Sequence, residues 1–156
     1  MILNSNSKDY IIGYSEVIPC KKLVSKFQSI DFRMLMLSAC SSTLLGYPFA
    51  CSGQNQSYRK SDFISINGFE KIKNLLQGED SIFLQVMRRL KNVNTTFIND
   101  PNSFVTAKTH QSWKDLIFQR IRWAGDANIM WKYNKFFYII ILSTFLTNFF
   151  LLHLFI

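Results

Sequence analysis

The apolar residues of this chain fall into successive patterns. Asp9 to Val17 reads as a strand, with a turn after it at Pro19. From Lys21 to Leu45 the apolar positions recur in steps of three and four, at Leu23, Phe27, Ile30, Met34 and Leu37. That spacing predicts a helix, ended by Gly46-Tyr47-Pro48. Its apolar side is wide, because Leu35, Met36 and Leu44 add to it. Core packing is the expected use of that side; the membrane surface or another helix is the alternative. Cys51 to Lys60 reads as a polar loop, Ser61-Asp62-Phe63 as a helix start and Asn67-Gly68-Phe69 as a turn. Ser81 to Leu90 is helical in pattern, with Ile82, Val86 and Leu90 on one face and Phe83 and Met87 beside them. Thr95–Ile98 and Ser103–Ala107 read as short strands separated by the turn Asn99-Asp100-Pro101-Asn102. Ser112 is placed to cap a helix from Trp113 onward. Gln111 to Lys135 reads as one amphipathic helix that runs into an apolar segment.

That segment, Phe136 to Ile156, holds twenty-one residues without an Asp, Glu, Lys or Arg. At about 1.5 Å per residue it matches the roughly 30 Å hydrocarbon core of a bilayer. Trp131, Lys132, Tyr133, Lys135 and Tyr138 suit an interfacial anchor belt at its start. It lies at the wrong end for a signal peptide. The sequence stops inside the apolar run, so the expectation is a fragment of a longer membrane protein.

The net charge is +8 over 156 residues, enough chain for one domain. Such a balance suits nucleic acid, anionic lipid or phosphorylated ligands. No compact basic run or nucleic-acid motif occurs, so nucleic acid is not expected as a partner. Several basic residues lie between Lys108 and Lys135, which places that side of the membrane in the cytoplasm by the positive-inside tendency. Cys20, Cys40 and Cys51 have no metal-ligand spacing and read as reduced, mostly buried thiols. Asn55 and Asn94 open glycosylation sequons that matter only outside the cytoplasm. His110, without a local partner, reads as a surface residue.

Three short stretches carry candidate chemistry. Gln119 and Arg122, three apart on a helix, share a face, and Trp123 follows them. They would offer an amide, a guanidinium fork for phosphate and an indole plate for the apolar face of a sugar. Glu79 and Asp80 stand at a helix start, where they suit the helix dipole or let one carboxylate act as a general base. Gln54, Asn55 and Ser57 are neutral hydrogen-bonders of the kind that read hydroxyl-rich ligands. Gly53 beside them permits close backbone approach.

Gly53-x-Asn55-x-x-Tyr58-Arg59-Lys60, then Gly78-Glu79-Asp80, then Gln119-x-x-Arg122-Trp123, then an apolar helix, resembles the membrane-bound family 2 glycosyltransferases. These are relatives of the cellulose, chitin and hyaluronan synthases, and the likeness is to generic bacterial members. The resemblance covers about residues 9–156. It implies an α/β fold: the C-terminal part of a GT-A nucleotide-sugar domain, followed by a transmembrane helix. Residues 1–110 would form the acceptor side of the catalytic domain, 111–135 an interfacial helix and 136–156 the membrane span. It implies sugar transfer from a nucleotide-sugar donor to a glycan or lipid-linked acceptor at the cytoplasmic face of the membrane. Asp80 takes the role of general base. Gly53, Asn55, Tyr58 and Arg59 line the acceptor side, with Glu79 beside the base. Gln119, Arg122 and Trp123 lie near the donor diphosphate and the acceptor.

The family holds a divalent cation, Mg or Mn, on an Asp-x-Asp in its N-terminal half. This sequence has no Asp-x-Asp: Asp9, Asp31, Asp62, Asp100, Asp115 and Asp126 are isolated. The cation is therefore expected only in the full-length enzyme. The chain alone is expected to be inactive, with a sheet edge left unpaired. The alternative is a non-catalytic, membrane-tethered binding module.

Overall fold

The computed structural model describes residues 9–75 and 79–154, without the side chains of 126–128, 141, 144–145, 147–149 and 151–154. Gly78 of the Gly-Glu-Asp motif lies outside the described residues. In chain order the elements are β1 (Tyr10–Gly13), β2 (Ser15–Val17), α1 (Leu23–Leu44), β3 (Gln56–Tyr58), α2 (Lys60–Ser65), α3 (Ser81–Lys91), β4 (Thr95–Ile98), β5 (Val105–Ala107), α4 (Trp113–Met130) and α5 (Lys135–Leu154). The protein is thus mixed α/β. β1 is the centre of a three-stranded sheet, antiparallel to β3 and parallel to β4. After Tyr14 the chain changes partner, and β2 pairs in parallel with β5. Asp9 locks the start of the larger sheet on both sides. Its carboxylate takes the amide of Asn94 at 3.1 Å and pairs with the Arg59 guanidinium at 3.0 Å.

α3 is the centre of the core. Six consecutive residues, Ile82 to Met87, are buried. A helix buried on every side needs neighbours all round, and these come from β1, α2, the 3-10 turn at Glu70–Ile72 and the end of α4. Burying each large apolar side chain contributes about 1.5–3 kcal/mol. The Phe83 ring lies 5.0 Å from Tyr58, 5.8 Å from Phe63 and 4.8 Å from Phe69, between ring centroids. Leu90, expected on the same face as Ile82 and Val86, is 45% exposed because the helix has by then left its neighbours.

α1 reverses the expectation of core packing. Leu23, Phe27, Ile30, Met34 and Leu37 are 72%, 50%, 67%, 60% and 48% exposed. The side turned inward carries Val24, Ser25, Gln28, Ser29, Met36, Ala39, Ser42 and Thr43. The reason is hydrogen bonding: small polar groups there meet backbone that would otherwise be buried unpaired. Ser25 Oγ accepts from the amide of Cys20 at 2.7 Å, Ser29 Oγ donates to the carbonyl of Val17 at 2.8 Å, and Gln28 Oε1 accepts from the amide of His110 at 2.8 Å.

Three further expectations change. The stretch 111–135 is not one helix: α4 ends at Met130 and a turn carries the chain to α5. Asn134 makes the break, since its Oδ1 accepts from the amide of Phe137 at 3.3 Å, as a helix cap does. β5 starts at Val105 rather than Ser103, because Asp100 caps a 3-10 turn over Pro101–Ser103. Of the three unbonded cysteines only Cys51 is buried; Cys40 is partly buried and Cys20 exposed. α5 is twenty residues long. Among the described residues no helix is long and apolar enough to cross a membrane. What is established for 136–154 is a helix, not a span.

Candidate functional site

The first two sequence motifs meet at the N-terminal end of α3. Asp80 is the N-cap, and its Oδ1 accepts from the amide of Ser81. A Cβ placed on Gly53 would lie 3.5 Å from Asp80 Cβ and 3.9 Å from Asp80 Oδ2. Gly53 thus lies against the Asp80 side chain, at a distance where a larger residue would make ordinary contact. Ser81 Oγ fastens the same loop by accepting from the Cys51 amide at 3.2 Å. Burial raises the pKa of Asp80 above its ordinary value; the Ser81 amide opposes this and the Glu79 charge adds to it.

Gln56 holds this arrangement from below. Its Nε2 donates to the carbonyl of Glu79 at 2.9 Å, and its Oε1 accepts from the Tyr10 hydroxyl and from Cys51 Sγ at 3.3 Å. Burial pushes both the Tyr10 hydroxyl and the Cys51 thiol well above their ordinary pKa values, so both keep the proton they donate. None of these three residues stands out in the sequence. Two of the three Gln56 bonds span 46 and 23 residues, and nothing local signals those.

The other acceptor-side residues serve the scaffold in this fold. Asn55 is 8% exposed, and its Nδ2 donates to the carbonyls of Tyr14 at 2.8 Å and Ser103 at 2.9 Å. It packs so close to Gly13 that any side chain at Gly13 would collide with its amide. The Tyr58 ring stacks on Phe63 at 5.6 Å and sits 5.4 Å from Tyr10. Arg59 is in the ion pair with Asp9.

On α4, Gln119 and Trp123 converge on Arg120, which the motif leaves out. Arg120 donates to Gln119 Oε1 at 3.3 Å, and its guanidinium lies 4.2 Å from the Trp123 ring centroid. It also pairs with Asp31 of α1, while Trp123 faces Phe32 at 6.4 Å. Arg120 thus spends its charge on holding α4 to α1. Arg122, two residues further on, is exposed. Among the described residues no group of three or more His, Cys, Asp or Glu side chains is placed to hold a metal ion. The resemblance places the divalent cation on an Asp-x-Asp that these 156 residues do not contain, not on Glu79 and Asp80.

No protein-family model matches the chain, and no curated protein or solved structure matches it either.

Proposed function

We propose that this chain is the acceptor-side part of a membrane-bound family 2 glycosyltransferase. The observation that carries the proposal is the meeting of Gly53 with Asp80. Gly53 and Asp80, twenty-seven positions apart in sequence, come together at one carboxylate held at a helix start. In the proposed reaction the acceptor hydroxyl attacks the anomeric carbon of the donor sugar. The new C–O bond forms as the bond to the donor diphosphate breaks, and the hydroxyl proton passes to Asp80. A carboxylate whose pKa burial has raised is a stronger base than a free one, which suits that transfer. Arg122 offsets the charge that grows on the leaving diphosphate, and Trp123 orients the sugar ring. Nucleotide-sugar binding also calls for the Asp-x-Asp that these 156 residues do not contain. The membrane part of the proposal rests on α5, uncharged in sequence from Phe136 onward, and on the aromatic and lysine residues at its start.

The test is sugar transfer from a labelled nucleotide-sugar by the full-length gene product that carries this chain. Asp80→Asn is expected to lower turnover by about 100-fold or more while donor binding stays near native. Turnover retained in that variant would remove Asp80 from the reaction. A second reading, a membrane-tethered binding module, is favoured by the cations gathered near the start of α5. On that reading Asp80→Asn changes nothing and charge reversal at Lys132 and Lys135 abolishes binding.

A further inference from the structure

Far from Asp80, at the other end of α3, lies a pocket of about 320 Å³. Arg88 and Arg89 enter it from α3, Asn92 from the helix end, and Tyr133, Asn134 and Lys135 from the turn into α5. No acidic residue lines it. Its volume equals roughly ten water molecules at about 30 Å³ each, room for a phosphate group and part of what it is attached to.

The two arginines by themselves have an ordinary explanation, since cations near a helix C-terminus offset its dipole. Lys135 does not fit it, because it belongs to α5 and reaches the same pocket. Nor are the three charges neutralised: among the described ion pairs none involves Arg88, Arg89 or Lys135, and the Lys135 ammonium faces the Trp131 ring, 6.0 Å away. Arg88 is held in place by neutral acceptors, the carbonyls of Gly46 and Pro48, each at 3.2 Å. Burial lowers its pKa, as expected of a cation without a counter-ion beside it. Arg89 lies 5.3 Å above the Tyr133 ring. The result is a fixed guanidinium, a second guanidinium on an aromatic plate and an ammonium, around one concavity. That combination recognises phosphate.

We propose that the pocket between the end of α3 and the start of α5 binds a phosphate group through Arg88, Arg89 and Lys135. The proposal does not rest on the glycosyltransferase reading. A phospholipid headgroup and a soluble phosphate ester present the same chemistry, and the experiment separates them. The chain in a non-ionic detergent is titrated by calorimetry with phosphatidylglycerol, with a diacylglycerol of the same chains, and with inorganic phosphate. Saturable binding of phosphatidylglycerol without binding of diacylglycerol is expected. Inorganic phosphate binding as well identifies a soluble ligand; its failure to bind identifies the lipid headgroup. Arg88 is left untouched, because it holds the Gly46–Pro48 turn. Arg89→Gln with Lys135→Gln should weaken binding roughly thirtyfold, about fivefold per surface cation. Lys21→Gln with Lys71→Gln removes the same charge elsewhere and should bind as the native chain does. Circular dichroism establishes that both variants fold. Native binding by the first variant, equal loss in both variants, or no saturable binding of either phosphate probe overturns the proposal.

Discussion

Asp80 has two duties at one position, capping a helix and carrying a partly buried carboxylate, and pH separates them. An aspartate whose pKa rises on folding favours the folded state while it holds its proton. That contribution is complete below the ordinary value of 3.8 and is lost as pH climbs through the raised value. Above it, the buried charge weighs against the fold. Asp80→Asn keeps an acceptor for the Ser81 amide and removes the charge. It should therefore raise Tm at neutral pH, with the gain shrinking toward zero in acid below 3.8. Thermal melts across that range check this. A Tm difference that ignores pH would mean that Asp80 matters only as a cap. A residue kept at a cost in stability is what a functional carboxylate looks like. Asn55 is the opposite case. Its residue type suits a ligand, yet both amide protons go to backbone carbonyls. Side-chain chemistry alone does not say whether an amide will be used by a ligand or by the fold.

Among the elements, α3 carries the fold, and Phe83 is where its aromatic neighbours meet. Phe83→Ala should cost about 3–5 kcal/mol, read as a fall in the urea midpoint. A loss below about 1 kcal/mol would mean that the ring is not packed as described. α3 was also legible in the sequence to within a residue, and so was β4, because hydrophobic spacing and turn residues are local. The strand over Asp9–Val17 was legible as extended chain but not as two strands, since the change of partner at Tyr14 is made by β4 and β5 from the far end of the sequence. The inward side of α1 was not legible either. Hydrophobic spacing assumes that apolar residues face the core, whereas this helix is docked by Ser25, Gln28 and Ser29 through bonds to distant backbone. In the site, the helix start at Asp80 was legible, but the approach of Gly53 to it and the place of Gln56 beneath them were not, because both depend on residues distant in sequence.

At the scale of the molecule, exposed large apolar side chains line α1, α4 and α5 among the described residues. The outer stripe of α1 continues onto α4, where Phe27 meets Trp113 at 5.4 Å and Ile117, Phe118 and Ile121 are more than half exposed. An apolar surface of that extent marks an interaction face. Replacing Leu23, Phe27 and Ile30 together by serine should change folding stability by at most about 0.5 kcal/mol per site, while reducing pelleting with vesicles. Buried residues would instead lose about 2–5 kcal/mol each, so one denaturation curve decides between the two. α3 has one more consequence. Asp80 and Arg88 are eight residues apart on a single rigid rod, about 12 Å at 1.5 Å per residue. If the far end rests on lipid phosphate, that rod is a tether: its rise lets the carboxylate stand no more than about 12 Å further from the phosphate layer than the arginine does.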